Sequence, residues 1–454
     1  MRVAIRADAS ASLGTGHLRR CLALARAVAA CGAEVLFLSR DTDGVAAGVL
    51  RGQPFGVHWL QGGEGDTVQC IDALAAAPPA WTIVDHYGLD SDWHDALRSR
   101  LGCRIAVVDD LADRALAPDL LIDHNDPDAA QTYAQRLTRP CAFLAGPAFA
   151  LLDTLYATAP RYRFNEQVRS IGIFMGGTDP HGHCLAALLA CRESLGFSGA
   201  IEVVCSPASP SHAALALACA RWPGATLRDG LPDLAAFFAR HDLQIGAGGG
   251  AVWERCCIGV PAIACVAAPN QLSTVPRLAA LGAVAWAQED GAGTQEAIAA
   301  QLRLLLAGPA LRRGLGESAA RLVDGQGSAR VAAVLACAAG APLRARPADA
   351  GDELLLLDWA NDPVVRANAF QPEAVLPQQH SRWFAARLAD SAGCRIVILE
   401  APNGVPVGQV RLEWREHAWE IGYSMAAPYR GHGLAATLLG TAIATLPAGD
   451  AVLG

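Results

Sequence analysis

The sequence predicts an α/β protein in which two parallel-sheet domains are followed by a smaller α+β domain. Short apolar strands alternate with helical patterns over roughly the first 160 residues, and the alternation restarts after a polar stretch at 161–169. Beyond about residue 340 the composition changes, and Trp359, Trp383, Trp414 and Trp419 follow one another closely. The length of 454 residues suits about three domains of roughly 150 residues each. We therefore expect domains at 1–155, 156–340 and 344–454.

Each element has its own signal in the chain. The first domain opens with a strand at 3–7, a loop at 8–16 and a helix over 18–32, and further apolar runs predict strands at 35–38, 81–84, 105–108, 120–122 and 142–144. The second domain has such runs at 171–175, 201–205, 243–245 and 262–266. A linker is expected at 341–347, where two prolines and two arginines interrupt an apolar background. After it, 395–399 and 407–414 suggest an antiparallel pair of strands.

Composition excludes several classes of protein. Hydrophobic residues make up 52% of the chain and charged residues 18%, which excludes a disordered chain. No apolar run reaches the roughly 18 residues that span a bilayer, and Arg2, Arg6 and Asp8 interrupt any secretory signal, so we expect a cytoplasmic protein without a membrane partner. The net charge of -8, without a basic tract, argues against nucleic acid and favours a small-molecule ligand.

Cysteine and lysine usage narrows the chemistry further. The 14 cysteines form no CxxC pair, which indicates reduced thiols and no structural zinc. The chain contains no lysine, so a Walker A phosphate loop, a pyridoxal phosphate enzyme and a Schiff-base aldolase all lack their essential residue.

The first candidate site lies between the first strand and the first helix. It comprises Asp8, the glycines Gly14 and Gly16, His17 and Arg19. Ligands of open α/β sheets bind at the carboxyl ends of strands, and helix N-termini attract anions. His17 could act there as a general base, because neutral imidazole accepts protons at physiological pH. On spacing alone, a tight turn with a capping or solvent-facing histidine fits equally well.

Two further segments follow predicted strands. Asp85, His86 and Tyr87 come after the strand at 81–84, where they could converge on the same cleft or simply cap the next helix and cover the sheet edge. The glycine-rich stretch 246–255 is followed by Asn270 and Gln271. Its glycines could bring backbone amides close to a diphosphate, and Glu254 could accept hydrogen bonds from ribose hydroxyls; a plain turn is the alternative.

Together these segments resemble, over about residues 1–335, the UDP-2,4-diacetamido-2,4,6-trideoxy-β-L-altropyranose hydrolases of pseudaminic acid synthesis. The likeness rests on 5–8 with 14–17, on 85–87, on 176–180, and on 246–257 with 270–271. It implies a GT-B fold, two Rossmann-like domains as in the related peptidoglycan N-acetylglucosaminyl transferases. It also implies that His17 is the catalytic base, that Tyr87 and Asn270 belong to the sugar site, and that the 248–254 loop holds UDP. The implied substrate-binding residues are Asp8, Gly14, Gly16, Arg19, Asp85, Gly176, Gly248, Gly249, Gly250, Glu254 and Gln271.

A metal site is not expected. Asp179, His181 and His183 have the HxH spacing of some metal ligands, but they follow a strand end where a helix should begin, and the resemblance requires no metal. His86 and His124, each following an aspartate at a strand end, are expected to be loop residues.

The third domain carries a different motif. Arg430, Gly431, Gly433 and Ala435 stand in an Arg-x-x-Gly-x-Ala pattern at the start of a helix. This pattern resembles the acetyl-CoA pyrophosphate loop of GNAT acetyltransferases, and 359–363 and 380–383 resemble members that acylate amino sugars. The resemblance implies acetyl-CoA as cofactor and N-acetylation of an amino sugar. Because that family continues with further strands and a helix that often bears a catalytic tyrosine, the domain is expected to be incomplete at residue 454.

The expected activity is hydrolysis of the UDP-linked diacetamido trideoxy sugar at its anomeric C–O bond, without a cofactor. Water is the expected nucleophile, and UDP and the free sugar are the expected products. Two alternatives remain: a GT-B glycosyltransferase that passes the sugar to another acceptor, and a nucleotide-sugar-binding subunit without activity. The sequence does not specify the oligomeric state.

Overall fold

The structure is a computed structural model that describes residues 1–62, 65–177, 179–289, 291, 293–369, 371–447 and 450–453. It divides into two compact units. One comprises Arg2–Arg26 and Glu34–Ser328 and contains two parallel sheets; the other comprises Ala27–Ala33 and the chain from Ala329 onward, with Met1.

The first sheet is parallel throughout, with seven strands in the order β3-β2-β1-β4-β5-β6-β7. Its strands are β1 (Arg2–Ala7), β2 (Glu34–Ser39), β3 (Gly56–Trp59), β4 (Trp81–Asp85), β5 (Arg104–Val108), β6 (Leu120–Asp123) and β7 (Ala142–Ala145). The helices among and after them are α1 (Gly16–Ala30), α2 (Val45–Leu50), α3 (Asp66–Ala75), α4 (Ser91–Leu101), α5 (Ala129–Thr132) and α6 (Leu155–Thr158). The central strands are apolar and buried because helices cover both faces of such a sheet.

The second sheet is also parallel, with six strands in the order β10-β9-β8-β11-β12-β13. Its strands are β8 (Ser170–Phe174), β9 (Ala200–Val204), β10 (Ala225–Arg228), β11 (Leu243–Ala247), β12 (Ala262–Cys265) and β13 (Ala285–Trp286). Its helices are α7 (His183–Leu189), α8 (His212–Arg221), α9 (Ala235–Arg240), α10 (Ala251–Ile258), α11 (Thr274–Ala280), α12 (Thr294–Ala307) and α13 (Pro309–Leu322). Two apolar clusters of strand and helix side chains form the core of this half.

The C-terminal unit is built on a mixed five-stranded sheet in the order β14-β15-β16-β17-β18. The strands are β14 (Arg344–Pro347), β15 (Cys394–Glu400), β16 (Pro406–Arg415), β17 (Ala418–Met425) and β18 (Val452–Leu453), and all pairs are antiparallel except β17 with β18. The chain enters this unit along α14 (Gly327–Ala338), and its other helices are α15 (Glu353–Ala360), α16 (Pro363–Ala367), α17 (Pro377–Ala389) and α18 (Ala435–Ile443).

The predicted strands are confirmed, but the linker expected at 341–347 is wrong for its last four residues. These form the edge strand β14, which pairs with β15 from Arg344↔Glu400 to Pro347↔Val397. The guanidinium of Arg346 bonds Glu400 at 2.6 Å and Asp352 at 2.7 Å, so the arginine that suggested a solvated linker is an anchor of the sheet. Proline is tolerated because an edge strand needs fewer backbone donors.

The fourteen cysteines, all among the described residues, are free thiols, and twelve of them are buried. Most of the cysteines therefore lie in the core. No helix in the described parts of the chain is both long and apolar enough to cross a membrane.

Candidate active site

Both parallel sheets place their glycine loops where the strand order reverses. In the first sheet the chain moves outward from β1 to β3 and then returns to the other side of β1 at β4, so the loops after β1 and β4 diverge and leave a crevice. His17 follows β1, and Asp85 and Tyr87 lie at the end of β4. In the second sheet the reversal lies between β8 and β11, which are followed by Gly176 and by Gly248. The predicted site residues therefore flank the crevices where ligands of such sheets bind.

His17 forms a hydrogen-bonded pair with a buried carboxylate. It lies in the first turn of α1, 8% exposed, and its Nδ1 is 2.5 Å from Oδ1 of Asp85. Asp85 is fully buried and also accepts two hydrogen bonds from Arg20, each 2.6 Å long. Because a carboxylate only accepts, Nδ1 carries the hydrogen of this pair, which makes Nε2 the proton-accepting nitrogen of neutral His17.

The charge of Asp85 is secured by its neighbours. Burial alone would raise the pKa of its carboxyl, but Arg20 and His17 hold that pKa well below its usual value. Both oxygens of Asp85 accept hydrogen bonds from His17 and Arg20. Asp85 was expected to bind substrate, but in the structure its carboxylate contacts the His17 imidazole instead.

Tyr87 and Asn270 lie beside His17. The rings of His17 and Tyr87 meet edge to face, with centroids 4.7 Å apart. The Tyr87 hydroxyl donates to Oδ1 of Asp110 at 2.6 Å, and Nδ2 of Asn270 donates to the same hydroxyl at 3.4 Å. Burial and the nearby Asp110 raise the pKa of Tyr87 well above its usual value, so the phenol keeps its proton at neutral pH. The structure thus brings together the three residues expected to be catalytic, although Asn270 is 183 positions from Tyr87.

The glycine-rich turn between β11 and α10 is closely packed at one end and open at the other. The Gly248 amide donates to Oε1 of Gln271 at 3.1 Å, and a Cβ at this position would lie 2.1 Å from Cγ2 of Val275. Gln271 accepts a second bond from the Ala267 amide at 2.9 Å, so its oxygen shapes the turn. Gly249 and Gly250 are progressively more exposed, and α10 begins directly after them.

Glu254 lies one turn into α10. Burial raises the pKa of its carboxyl to about 7, against the opposing effects of Tyr156 and of Arg19 from the first domain. Its Oε2 has no hydrogen-bond partner among the described residues. At about pH 7, roughly half of the Glu254 carboxyls are therefore ionised, and Oε2 is available to accept a hydrogen bond.

The remaining predicted residues of the N-terminal loops have distinct placements. The Asp8 carboxylate bonds to Arg6 at 2.9 Å, to the Arg40 amide at 2.8 Å and to His86 at 3.3 Å. It therefore connects the loops that follow β1, β2 and β4. Arg19 is exposed on α1.

The two glycine loops of the first and second sheets approach each other. Gly14 and Gly176 both have positive φ, 81° and 106°. Neither these two positions nor Gly16 has a described atom within 4 Å of where a Cβ would stand. A Cβ on Gly177, by contrast, would lie 3.2 Å from Oγ1 of Thr15. Thr178, part of the motif at 176–180, lies outside the described residues.

In the C-terminal unit, Arg430 leads into α18. Its Nε donates to the Met425 carbonyl and its Nη1 to Oδ1 of Asp362, both at 2.9 Å. Gly431 and Gly433 have φ of 79° and 72° and are exposed, and Ala435 is the first residue of α18. A loop with alternating left-handed glycines before a helix presents backbone amides to solvent, which suits a phosphate group.

Comparison with known proteins separates the two parts of the chain. Residues 343–446 match the model of the acetyltransferase (GNAT) domain. The N-terminal part is similar in structure to MurG of Acinetobacter baumannii, with a TM-score of 0.54 and 18% identity over 74% of this chain and 99% of that one. It is also similar to MnaA of S. aureus, solved with UDP, with a TM-score of 0.52 and 13% identity over 74% of this chain and 96% of that one.

The chain joins a GT-B-like pair of Rossmann-like domains to a GNAT domain. Two curated proteins match part of this chain in sequence. The spore coat polysaccharide biosynthesis protein SpsG of Bacillus subtilis is 28% identical over 211 residues, 45% of this chain and 60% of that protein. The UDP-2,4-diacetamido-2,4,6-trideoxy-beta-L-altropyranose hydrolase of Campylobacter jejuni is 27% identical over 183 residues, 39% of this chain and 61% of that protein. The chain thus spans about three fifths of the length of these relatives.

Three further residues of the GT-B-like pair are hydrogen-bonded to one another and to Tyr87: Asp110 and Asn125, which lie outside the motifs, and Trp253, which lies within 246–255 but had no predicted role. Oδ2 of Asp110 accepts from Nδ2 of Asn125 at 3.1 Å, and Oδ1 of Asn125 accepts from Nε1 of Trp253 at 2.9 Å. Together with Tyr87 and Asn270, these residues form a continuous series of hydrogen bonds. The series begins at Trp253 on α10 of the second domain, passes through Asn125, Asp110 and Tyr87 of the first domain, and ends at Asn270, which follows β12 of the second. A signal existed for two of them, because Asp110 and Asn125 follow β5 and β6 as Asp85 ends β4.

One group of side chains in the GT-B-like pair has the composition of a metal site. Ligand atoms of Asp179, Cys184 and Cys205 lie within 4.8 Å of one another, whereas His181 and His183, the other candidates, are not in this group. Both oxygens of Asp179 accept backbone hydrogen bonds at 2.9 Å, from His183 and Cys184. The carboxylate is thereby engaged at the start of α7.

Proposed function

We propose that the GT-B-like pair hydrolyses UDP-2,4-diacetamido-2,4,6-trideoxy-β-L-altropyranose at the anomeric C–O bond and releases UDP and the free sugar. The observation that carries this proposal is the His17–Asp85 pair, which holds the imidazole against Tyr87, itself bonded to Asn270, at the switch-point crevice. The similarity to the C. jejuni hydrolase supports the choice of substrate.

In the proposed mechanism, His17 Nε2 removes a proton from water as the water oxygen attacks the anomeric carbon. Asp85 stabilises the resulting imidazolium and fixes its orientation, as a buried carboxylate does behind a catalytic histidine. Tyr87 and Asn270 position the water and the sugar. The anomeric C–O bond breaks, and both its electron pair and its oxygen leave with UDP. Backbone amides at the start of α10 stabilise the charge of the departing diphosphate.

The decisive experiment identifies the bond that breaks. In ¹⁸O-labelled water the label should enter the free sugar at C1 and not UDP, and a single displacement should invert the anomeric configuration. His17→Ala should lower turnover by about 100-fold to 10,000-fold while UDP binding changes little. Label in phosphate, or full activity of the variant, would overturn the mechanism. A sugar that leaves only when a second acceptor is supplied would instead establish a glycosyltransferase.

We further propose that the GNAT domain transfers the acetyl group of acetyl-CoA to an amino sugar. The match to the acetyltransferase family and the exposed loop from Arg430 to Ala435 support this proposal. The chemistry of the two halves is compatible, because a diacetamido sugar must arise by acylation of amines. The natural acceptor would then be the same UDP-linked sugar with one acetyl group fewer. The test is acceptor-dependent release of CoA from acetyl-CoA by the full chain.

A further inference from the structure

A buried arginine adjoins the glycine-rich turn between β11 and α10. Arg255 follows Glu254 on α10 and is 1% exposed. Its Nη2 donates to the Ala247 carbonyl at 2.5 Å, whereas Nε and Nη1 have no partner among the described residues. The described part of the chain therefore supplies no carboxylate bonded to this guanidinium. Because a buried charge without a counter-charge is costly, an anion bound nearby would offset that cost.

The guanidinium packs against the start of the turn and is closed to solvent. A Cβ on Gly246 would lie 2.3 Å from Nη1, so the glycine leaves room for the arginine. The ring centroid of Phe238 lies 5.9 Å from Cζ of Arg255. Since Nε and Nη1 are inaccessible, Arg255 cannot reach a ligand through them. Its influence on a ligand must come from its charge and from its bond to the Ala247 carbonyl.

The other end of the turn has unpaired backbone donors. Among the described residues, the amides of Gly249, Gly250 and Ala251 have no hydrogen-bond partner, whereas the Gly248 amide donates to the Cys265 carbonyl at 2.9 Å. Because α10 begins at Ala251, the positive end of its dipole points to the same place. Free amides, a helix N-terminus and a buried cation together favour a group with more than one negative charge, such as a diphosphate.

We propose that Arg255 strengthens the binding of the UDP diphosphate at this turn through its buried charge and without touching the ligand. This inference rests on the proposed function, which places UDP at the turn. A charge in a protein interior acts over several ångströms, because its surroundings screen it far less than water does. Arg255 is thus a positioning residue that raises the affinity for a diphosphate and leaves the affinity for uridine unchanged.

Two other charged residues lie near this turn. Glu254 is about half ionised near pH 7, and its charge opposes that of Arg255. Arg19 on α1 acts on Glu254 from the first domain, but it is exposed, so dissolved salt screens its charge. Burial lowers the pKa of Arg255, yet arginine normally titrates above about 12 and stays charged at neutral pH. Salt dependence therefore distinguishes the contribution of Arg255 from that of Arg19.

The test measures the UDP preference of the full chain, defined as the ratio of its UDP affinity to its uridine affinity. Calorimetry gives the first affinity, and competition with UDP gives the second. Arg255→Gln retains an amide donor but removes the charge. It should weaken UDP binding by roughly tenfold or more, as the loss of a buried charge interaction does. Uridine affinity should change by less than about twofold, because uridine carries no charge for Arg255 to attract.

Arg312→Gln is the matched control in the same domain. Arg312 on α13 is also 1% exposed, and its guanidinium donates to the carbonyls of Leu305 and Glu166. None of the described residues that it bonds belongs to the turn. The variant should lower the melting temperature and leave the UDP preference unchanged.

A measurement on the wild-type chain tests the proposal even if Arg255→Gln does not fold. Between about 0.1 M and 1 M salt, the UDP preference should fall by less than about fivefold, because a buried charge is screened little. A larger fall would assign the attraction to exposed charges such as that of Arg19, and it would overturn the proposal.

The variants give further outcomes that would overturn the role of Arg255. Equal losses of UDP and uridine affinity in Arg255→Gln would mean that the side chain only shapes the turn. An equal loss of UDP preference in Arg312→Gln would mean that any buried arginine of this domain has the same effect. Release of UDP from the UDP-linked sugar tests the proposed hydrolysis separately. A wild-type chain that prefers UDP to uridine but releases none from the sugar would overturn the hydrolysis alone.

Discussion

At the scale of single residues, the role of each histidine depends on the side chains that contact its ring. His17 and His124 both follow a strand, but only His17 has a carboxylate on Nδ1. His124 is 5% exposed against Trp253, and burial lowers its pKa to about 3. The sequence analysis gave His17 a possible catalytic role and His124 none, but it could not predict the contact that distinguishes them, because Asp85 is 68 residues from His17. His124 lies in the loop after β6, as expected, and only its burial was not predicted.

Asp85→Asn should lower turnover of the UDP-sugar by roughly 100-fold or more, because an amide supplies neither the charge that stabilises imidazolium nor the correct tautomer. UDP affinity by calorimetry should change little, since Asp85 lies behind the ring. Asp95→Asn is the matched control, on an exposed side chain of α4. A variant that melts like the wild type and keeps its turnover would remove Asp85 from the mechanism.

Glu254 gives a prediction about pH. With a pKa of about 7, its carboxyl becomes ionised between about pH 6 and 8 and then accepts ribose hydrogen bonds more strongly. UDP affinity should therefore rise through this range, and Glu254→Gln should lose that part of the rise, roughly fivefold, as a charged hydrogen bond becomes neutral. Titrations of both proteins at several pH values test this, since ionisation of UDP itself is common to both. Parallel curves would contradict a ribose contact.

At the scale of elements, apolar runs predicted the central strands of the two parallel sheets and the edge strand β7, but no other edge strand of these sheets. The strands without a prediction in the parallel sheets, β3, β10 and β13, all stand at a sheet edge, as does β14 in the place of the expected linker. Their burial is partial: β3 and β10 contain only exposed and half-buried residues. An edge strand packs on fewer neighbours, so its sequence is less constrained toward continuous apolar residues.

The turn between β11 and α10 gives a prediction at this scale. Gly248→Ala would place a methyl group 2.1 Å from Val275, so the turn or α11 must move, at a cost of about 1–3 kcal/mol. We expect a lower melting temperature and weaker UDP binding by calorimetry. Gly314→Ala, at an exposed position of α13 with no described atom within 4 Å, should leave both unchanged or raise stability slightly. Equal behaviour of the two variants would refute this steric account.

At the scale of the GT-B-like pair, the hydrogen-bonded chain from Trp253 through Asn125 and Asp110 to Tyr87 and Asn270 connects the two sheets. Trp253 and Asn125 are 128 residues apart, and Asn270 and Tyr87 are 183 apart. The positions of strand ends in the sequence predict which residues reach each crevice. They contain no information on which loops of one domain contact those of the other. This is why the site residues were predictable individually and their network was not.

A double-mutant cycle tests whether this network acts as a unit. Trp253→Phe removes the donor to Asn125, and Tyr87→Phe removes the hydroxyl between Asp110 and Asn270, so each interrupts the same chain of bonds. If the chain positions the site cooperatively, the loss of kcat/KM in the double variant should fall short of the two single losses combined by at least about 0.5 kcal/mol.

Trp93→Phe provides the control for this cycle. Its indole donates to Asp66 at 3.0 Å, outside the network, and the residue is comparably buried at 4% exposure. Combined with Tyr87→Phe it should give additive losses, because the two side chains share no partner. Additivity in both pairs would show that Trp253 packs in the core without positioning Tyr87. Coupling in both pairs would point to a general loss of stability, which melting curves of the five variants would reveal.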